Sequence, residues 1–211
     1  MRNVRSRDGF TLMELLVVIA IMAVLMGITL PAFNTMGKGS GMRAAVSQLR
    51  STIALTRQWA VTHRQPTYVV FPFLYGNSSL SDISYVEKVN KAYAVYAVTD
   101  VVTQTGEFIT DWKFLPADVV LDDEFEPDKN VISGKASDKI QVPIGKGIYD
   151  VYVLKFFPDG TFGATKEVYL HEGYMNVNTN DIKNPDYGLR PNGSMRGIQI
   201  LPYGGLQVNT Y

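Results

Sequence analysis

From Phe10 to Leu30 the chain runs 21 residues in which Glu14 is the only charged side chain and Thr11 and Thr29 the only other polar ones. The pattern predicts a helix that is apolar on every side. At about 1.5 Å per residue, such a helix matches a hydrocarbon layer ~30 Å thick. A core helix of this length would keep a polar stripe. A lone carboxylate near one end costs free energy in lipid unless it finds a partner, which makes Glu14 a functional candidate.

Beyond Pro31 the cluster Gly37-Lys38-Gly39-Ser40-Gly41 interrupts the pattern, and a second periodicity then begins. Met42, Val46, Leu49, Ile53 and Ala60 recur at three- and four-residue steps with one seven-residue gap, which predicts a helix with one buried stripe. Arg43, Arg50, Arg57 and Arg64 repeat every seven residues and share one slowly drifting face. That face is either solvated or in contact with acidic loops of a neighbouring subunit. Pro66 closes the helix by disfavouring the helical region at Gln65.

The remainder is β in character. Segments 67–75, 92–98 and 151–157 are rich in Val, Tyr and Phe. Shorter strands are expected at 119–121, 140–142, 161–164, 198–201 and 206–208, with Pro158-Asp159-Gly160 as a turn. One long helical region followed by many strands predicts an α+β fold, with the helix stripe packed on an antiparallel sheet.

The segment Gly9-Phe10-Thr11-Leu12-Met13-Glu14-Leu15-Leu16-Val17-Val18-Ile19-Ala20 resembles the prepilin-type signal of type IV pilins and type II secretion pseudopilins. Pro31 matches a proline the family carries near the end of its apolar segment. The resemblance implies cleavage by an inner-membrane prepilin peptidase after Gly9, methylation of the new Phe10 amine, and Glu14 as the fifth mature residue. It implies a leader at 1–9, a transmembrane and filament-core helix at 10–31, its amphipathic continuation at 32–65, and a β-rich periplasmic part at 66–211. It also implies partners: other pilins or pseudopilins, the peptidase and an inner-membrane assembly platform.

A second resemblance lies downstream. The Met42 to Ala60 stripe, Trp112 with Leu115-Pro116, Phe156-Phe157-Pro158-Asp159-Gly160, Ile198-Gln199-Ile200 and Gly204-Gly205-Leu206-Gln207-Val208 look like the minor pseudopilin H and FimT type. This implies a minor subunit of a secretion pseudopilus supporting protein export. The alternatives are a minor type IV pilin serving assembly, adhesion or DNA uptake, and an anchored periplasmic binding protein or enzyme.

Simpler readings of the N-terminus account for less. A secretory signal has a shorter apolar region with its cleavage site after it, whereas here the motif sits at the polar-to-apolar junction. A plain single-pass anchor explains the apolar length and the basic flank of Arg2, Arg5 and Arg7, which keeps the N-terminus cytoplasmic. It leaves Glu14 unexplained. After cleavage the Phe10 amine is a cation and Glu14 an anion about one turn away. In a filament the Glu14 of an incoming subunit can pair with its neighbour's Phe10 amine, sparing both the cost of lone burial. Gly9, lacking a Cβ, suits close approach by a peptidase. Gly27 and Pro31 both weaken helical hydrogen bonding, so the helix is expected to kink or loosen between them once outside lipid.

Composition narrows the chemistry. The 20 basic and 20 acidic residues balance, and removing residues 1–9 leaves 17 against 19, so no polyanion partner is implied by net charge. The 180 residues after Pro31 suffice for one core. Zero cysteines exclude disulfides and thiolate chemistry. Asp122, Asp123 and Glu124 open an acidic stretch reaching Asp128, an acidic surface loop or a weak Ca²⁺ candidate; no other cofactor is indicated. Asn176-Val177-Asn178-Thr179-Asn180-Asp181 lacks the glycine and distal glutamate of a calcium loop and reads as a polar loop. His63 and His171 have no partner at metal-ligand spacing, and His171-Glu172-Gly173 reads as a strand-end turn. Gly37-Lys38-Gly39-Ser40 is not a phosphate loop, and no nucleophile elbow appears. The last 30 residues hold only Lys183, Arg190 and Arg196 as cations, which argues against nucleic acid as a partner.

Overall fold

A computed structural model describes residues 11–37, 40–73, 82–103, 105–133, 138–176 and 186–211, with backbone alone for 27–37 and 186. It divides into two units, Met1–Ser40 and Gly41–Tyr211. In the first, helix α1 spans Leu12–Gly37 over 26 residues. Every described side chain from Thr11 to Met26 is exposed, as expected of a helix with no polar face to turn outward. The helical backbone continues through Gly27 and Pro31. Pro31 has no N–H, so the Gly27 carbonyl lacks its usual donor four residues on.

In the second unit, α2 (Ser40–His63) buries Met42, Ala45, Leu49, Thr52, Ile53, Thr56 and Ala60. Val46, expected in the stripe, is partly buried at its margin. The seven-residue gap is filled by Thr56, whose hydroxyl donates to the Thr52 carbonyl at 2.8 Å. Thr52 in turn accepts from Lys113 Nζ at 3.0 Å. Both threonines can be buried because their hydroxyls are satisfied.

The helix stops one step before Pro66 takes effect. Arg64 adopts φ 53°, and the Gln65 N–H donates to the Ala60 carbonyl at 3.2 Å, the six-to-one bond of a Schellman turn. That position favours glycine, because a Cβ crowds the left-handed backbone. Arg64→Gly is therefore expected to stabilise the fold by about 0.5–1 kcal/mol. Equilibrium urea unfolding with an unchanged m-value would show it; a lower midpoint would refute it.

Two antiparallel sheets follow. The first has the order β3-β2-β1-β7-β6, with β4 also on β2. Its strands are β1 (Thr67–Pro72), β2 (Ala92–Asp100), β3 (Thr105–Phe108), β4 (Lys113–Phe114), β6 (Asp138–Ile144) and β7 (Gly147–Phe156). The second has the order β11-β10-β8-β5, with β9 also on β8. It comprises β5 (Val119–Asp122), β8 (Lys166–Asn176), β9 (Asp186–Leu189), β10 (Met195–Ile200) and β11 (Leu206–Thr210).

Central strand β1 is buried on both faces. Val69 and Phe71 join the core that α2 shares with Leu154, Leu170 and Ile198 from both sheets. Tyr68 and Val70 point the other way, into a second core with Tyr85, Val86, Val142 and Val151. The period-two alternation of strand side chains makes this division automatic.

Short helix α3 (Ile83–Val86) seals the second core. Its cap, Asp82, accepts from the Ser84 N–H at 2.9 Å, the Ser84 hydroxyl at 2.6 Å and, across the fold, the Lys146 N–H at 2.9 Å. These bonds, the Ser84 hydroxyl's first, lower the carboxyl pKa. A folded pKa below the unfolded one adds stability above the unfolded value, lost as pH falls through the folded value. Unfolding midpoints of Asp82→Ala and the parent are expected to differ at pH 7 and to converge as pH drops below 3.8. A gap that does not narrow as the pH is lowered below 3.8 would refute this.

Three expectations need correction. Residues 161–164 are not a strand, because the Asp159 carboxylate captures the Thr161 N–H and hydroxyl at 2.9 and 2.7 Å, and the Phe162 N–H donates to the Pro202 carbonyl. His171 is not in a turn. It lies inside β8, the longest described strand, paired with Val120 on one side and Met195 on the other. Of the polar loop at 176–181, Asn176 ends β8 and the rest lies outside the described residues.

Candidate functional site at the first turn of the N-terminal helix

The spacing Thr-x-x-Glu at 11–14 folds here as a reciprocal cap. The Glu14 N–H donates to Thr11 Oγ1 at 3.2 Å, while Glu14 Oε2 accepts from both the Thr11 N–H and the Thr11 hydroxyl at 2.9 Å. The Leu15 N–H donates to the Thr11 carbonyl at 3.2 Å, the first turn of the helix. This is a capping box, which satisfies two orphan donors at the helix start. The carboxylate also faces the positive end of the helix dipole.

Two properties give this turn chemical scope. Glu14 spends only Oε2 on the cap, leaving Oε1 without a partner among the described residues. The carboxylate is exposed, as are the apolar side chains that follow it to Met26. Glu14 thus presents an anion at the end of a bare apolar rod, held in place and open to a cation. Gly9 and Phe10, the expected processing site, lie outside the described residues.

The family model described as the prokaryotic N-terminal methylation motif matches residues 4–30. The chain's N-terminus carries a prepilin-type methylation motif. Among solved structures, the Pseudomonas aeruginosa (strain PAO1) type IV minor pilin FimU is similar at 13% identity and a TM-score of 0.41, covering 79% of this chain and 87% of that one.

The side chains of α1 are described only to Met26, and among the described residues no helix is long and apolar enough to cross a membrane.

Of the other candidate residues, Asp122 is spent on the fold. Asp122 is buried; its Oδ1 accepts the Glu124 and Phe125 N–H groups at 2.9 and 3.1 Å, and its Oδ2 lies 3.3 Å from His171 Nδ1. Asp123 is half-buried, and that burial raises its carboxyl pKa. Glu124 points to solvent. Among the described residues no group of three or more His, Asp or Glu side chains is placed to hold a metal ion. His63 stacks on Trp59 at 3.8 Å between ring centroids. The pair of Asp122 and His171 escaped sequence reasoning, since the two stand 49 residues apart and meet only through the pairing of β5 with β8.

Proposed function

We propose that this chain is a minor subunit of a type II secretion pseudopilus, processed after Gly9, methylated on Phe10 and assembled through its N-terminal helix. Before assembly the apolar segment anchors it in the inner membrane, N-terminus in the cytoplasm and β-rich unit in the periplasm. The peptidase, the assembly platform and other pilin-like subunits are its partners, and its work is architectural.

The observation that carries this reading is the exposed Glu14 carboxylate, fixed by its cap at the start of a helix with no polar face. A bare apolar rod needs lipid or other rods around it. A carboxylate with one free oxygen needs a cation, and a neighbour's Phe10 amine supplies one at the same depth. The downstream resemblance to the minor pseudopilin H and FimT type favours a minor subunit over a major one. Genomic neighbours separate the secretion role from that of a minor type IV pilin, since both use the same N-terminal chemistry.

Mass spectrometry of the protein from cells holding the peptidase tests the processing step. Loss of residues 1–9 and one methyl group on Phe10 is the expected result. An intact Met1 terminus would defeat the reading.

A further inference from the structure

Charge is distributed very unevenly along the mature chain. Residues 10–81 carry five basic side chains against one acidic, and residues 82–211 carry twelve against eighteen. The basic excess is concentrated on α2, which contains no Asp or Glu at all. Arg43, Arg50, Arg57 and Arg64 are all exposed, and the ion pairs among the described residues lie elsewhere, at Lys129, His171 and Arg190. From Arg43 to Arg57 the row covers roughly 21 Å at a helical rise of about 1.5 Å per residue. The opposite face of the helix is fully engaged in the core.

Two features define how the row is presented. Arg64 extends it into a left-handed backbone position where glycine would be less strained. Arg57 is held rigid, its Nε donating to the Gly160 carbonyl at 3.0 Å. Both Gly160 and Gly204 pack against its side chain, and a Cβ on Gly204 would lie 2.4 Å from Arg57 Nε. The ridge is therefore a set of cations on a rigid element, with its third member prepositioned.

The complementary surface is present on the same chain. The loop after β5 exposes Glu124, Glu126 and Asp128, and Lys129 pairs with Glu126 at 2.9 Å. We propose that the arginine ridge of α2 docks on this acidic loop of a second copy of the chain. The proposal rests on the subunit reading above and gives it a surface. The two patches differ, so the contact between the two copies is heterologous. Exposed charges set register and partner choice, and salt weakens them.

The absence of cysteine makes the test clean. Full-length chains carrying Ser47→Cys and others carrying Lys129→Cys, both exposed sites, are mixed in neutral phosphatidylcholine vesicles and oxidised. A mixed disulfide is expected at low salt. Arg43→Glu with Arg50→Glu on the first copy, or Glu124→Lys with Glu126→Lys on the second, should cut its yield at least fivefold. Combining the two reversals should restore at least half. Equal yields in all four mixtures, or no recovery in the combination, would overturn the proposal. So would an unchanged disulfide accompanied by loss of binding to duplex DNA or phosphatidylglycerol vesicles, which would assign the ridge to a polyanion or a lipid surface. Processing is read by mass spectrometry in the same variants: normal cleavage after Gly9 without the disulfide sinks the docking alone, whereas an uncleaved chain sinks the subunit reading.

Discussion

Glu14→Gln is expected to be processed normally and yet to enter the filament at least tenfold less than the parent. Glutamine keeps a carbonyl oxygen that can accept from the Thr11 N–H and hydroxyl, so the cap seen at 2.9 Å survives in large part. What it lacks is the charge that would meet a neighbour's amine. Glu14→Ala removes cap and charge together. The two variants therefore separate two roles that Glu14 combines. If charge pairing drives incorporation, both fail alike; if the cap alone matters, glutamine assembles and alanine does not. Comparing the filament and membrane fractions in cells holding the assembly machinery gives the answer. Normal incorporation of the glutamine variant would discard the pairing mechanism and leave Glu14 as a helix cap.

Leu154→Ala is expected to be strongly destabilising to the β-rich unit. Leu154 is fully buried in β7, pairs with Val69 of the central strand, and lies in the core that α2 shares with both sheets. Removing a buried leucine to alanine costs about 2–5 kcal/mol, because the cavity left behind closes only in part. For a domain of this size that lowers Tm by roughly 5–15 °C. Ile148, on the same strand but 71% exposed, is the control: Ile148→Ala should stay within about 0.5 kcal/mol. Thermal unfolding of full-length chains in detergent measures both. Similar losses at the two sites would mean that the core is not organised as described.

How much of this was readable from the chain depends on the range of the interaction. Local patterns were legible. The Met42 to Ala60 stripe, the strands around Val69, Val95 and Leu154, and the turn at Gly160 follow from spacing and residue type. Long-range effects were not. Strand β8 mixes Glu167, His171, Glu172 and Gly173 among its apolar residues, so it lacks a clean alternation, and only its pairing with β5 and β10 makes it a strand. Glu167 is tolerated because it accepts from Gln199 at 2.9 Å and from the Tyr211 hydroxyl at 2.8 Å, partners 32 and 44 residues away. At the candidate site, Thr11 and Glu14 were visible as a motif, and their three-residue spacing also encodes the cap. The division into two sheets was invisible, because it rests on which strands find each other.

The position of β1 also governs the order in which the chain can acquire its structure. Thr67–Pro72 is the first strand after α2, yet one of its two partners is β7, whose Phe156 sits opposite Thr67. Helices form from local contacts within microseconds, whereas a pairing between distant segments waits for a large loop to close. While the chain emerges, the edge of β1 that pairs with β7 stays open until β7 arrives, leaving its backbone free for wrong pairings. Tethering the N-terminal end to a membrane would keep such half-made chains apart during that interval.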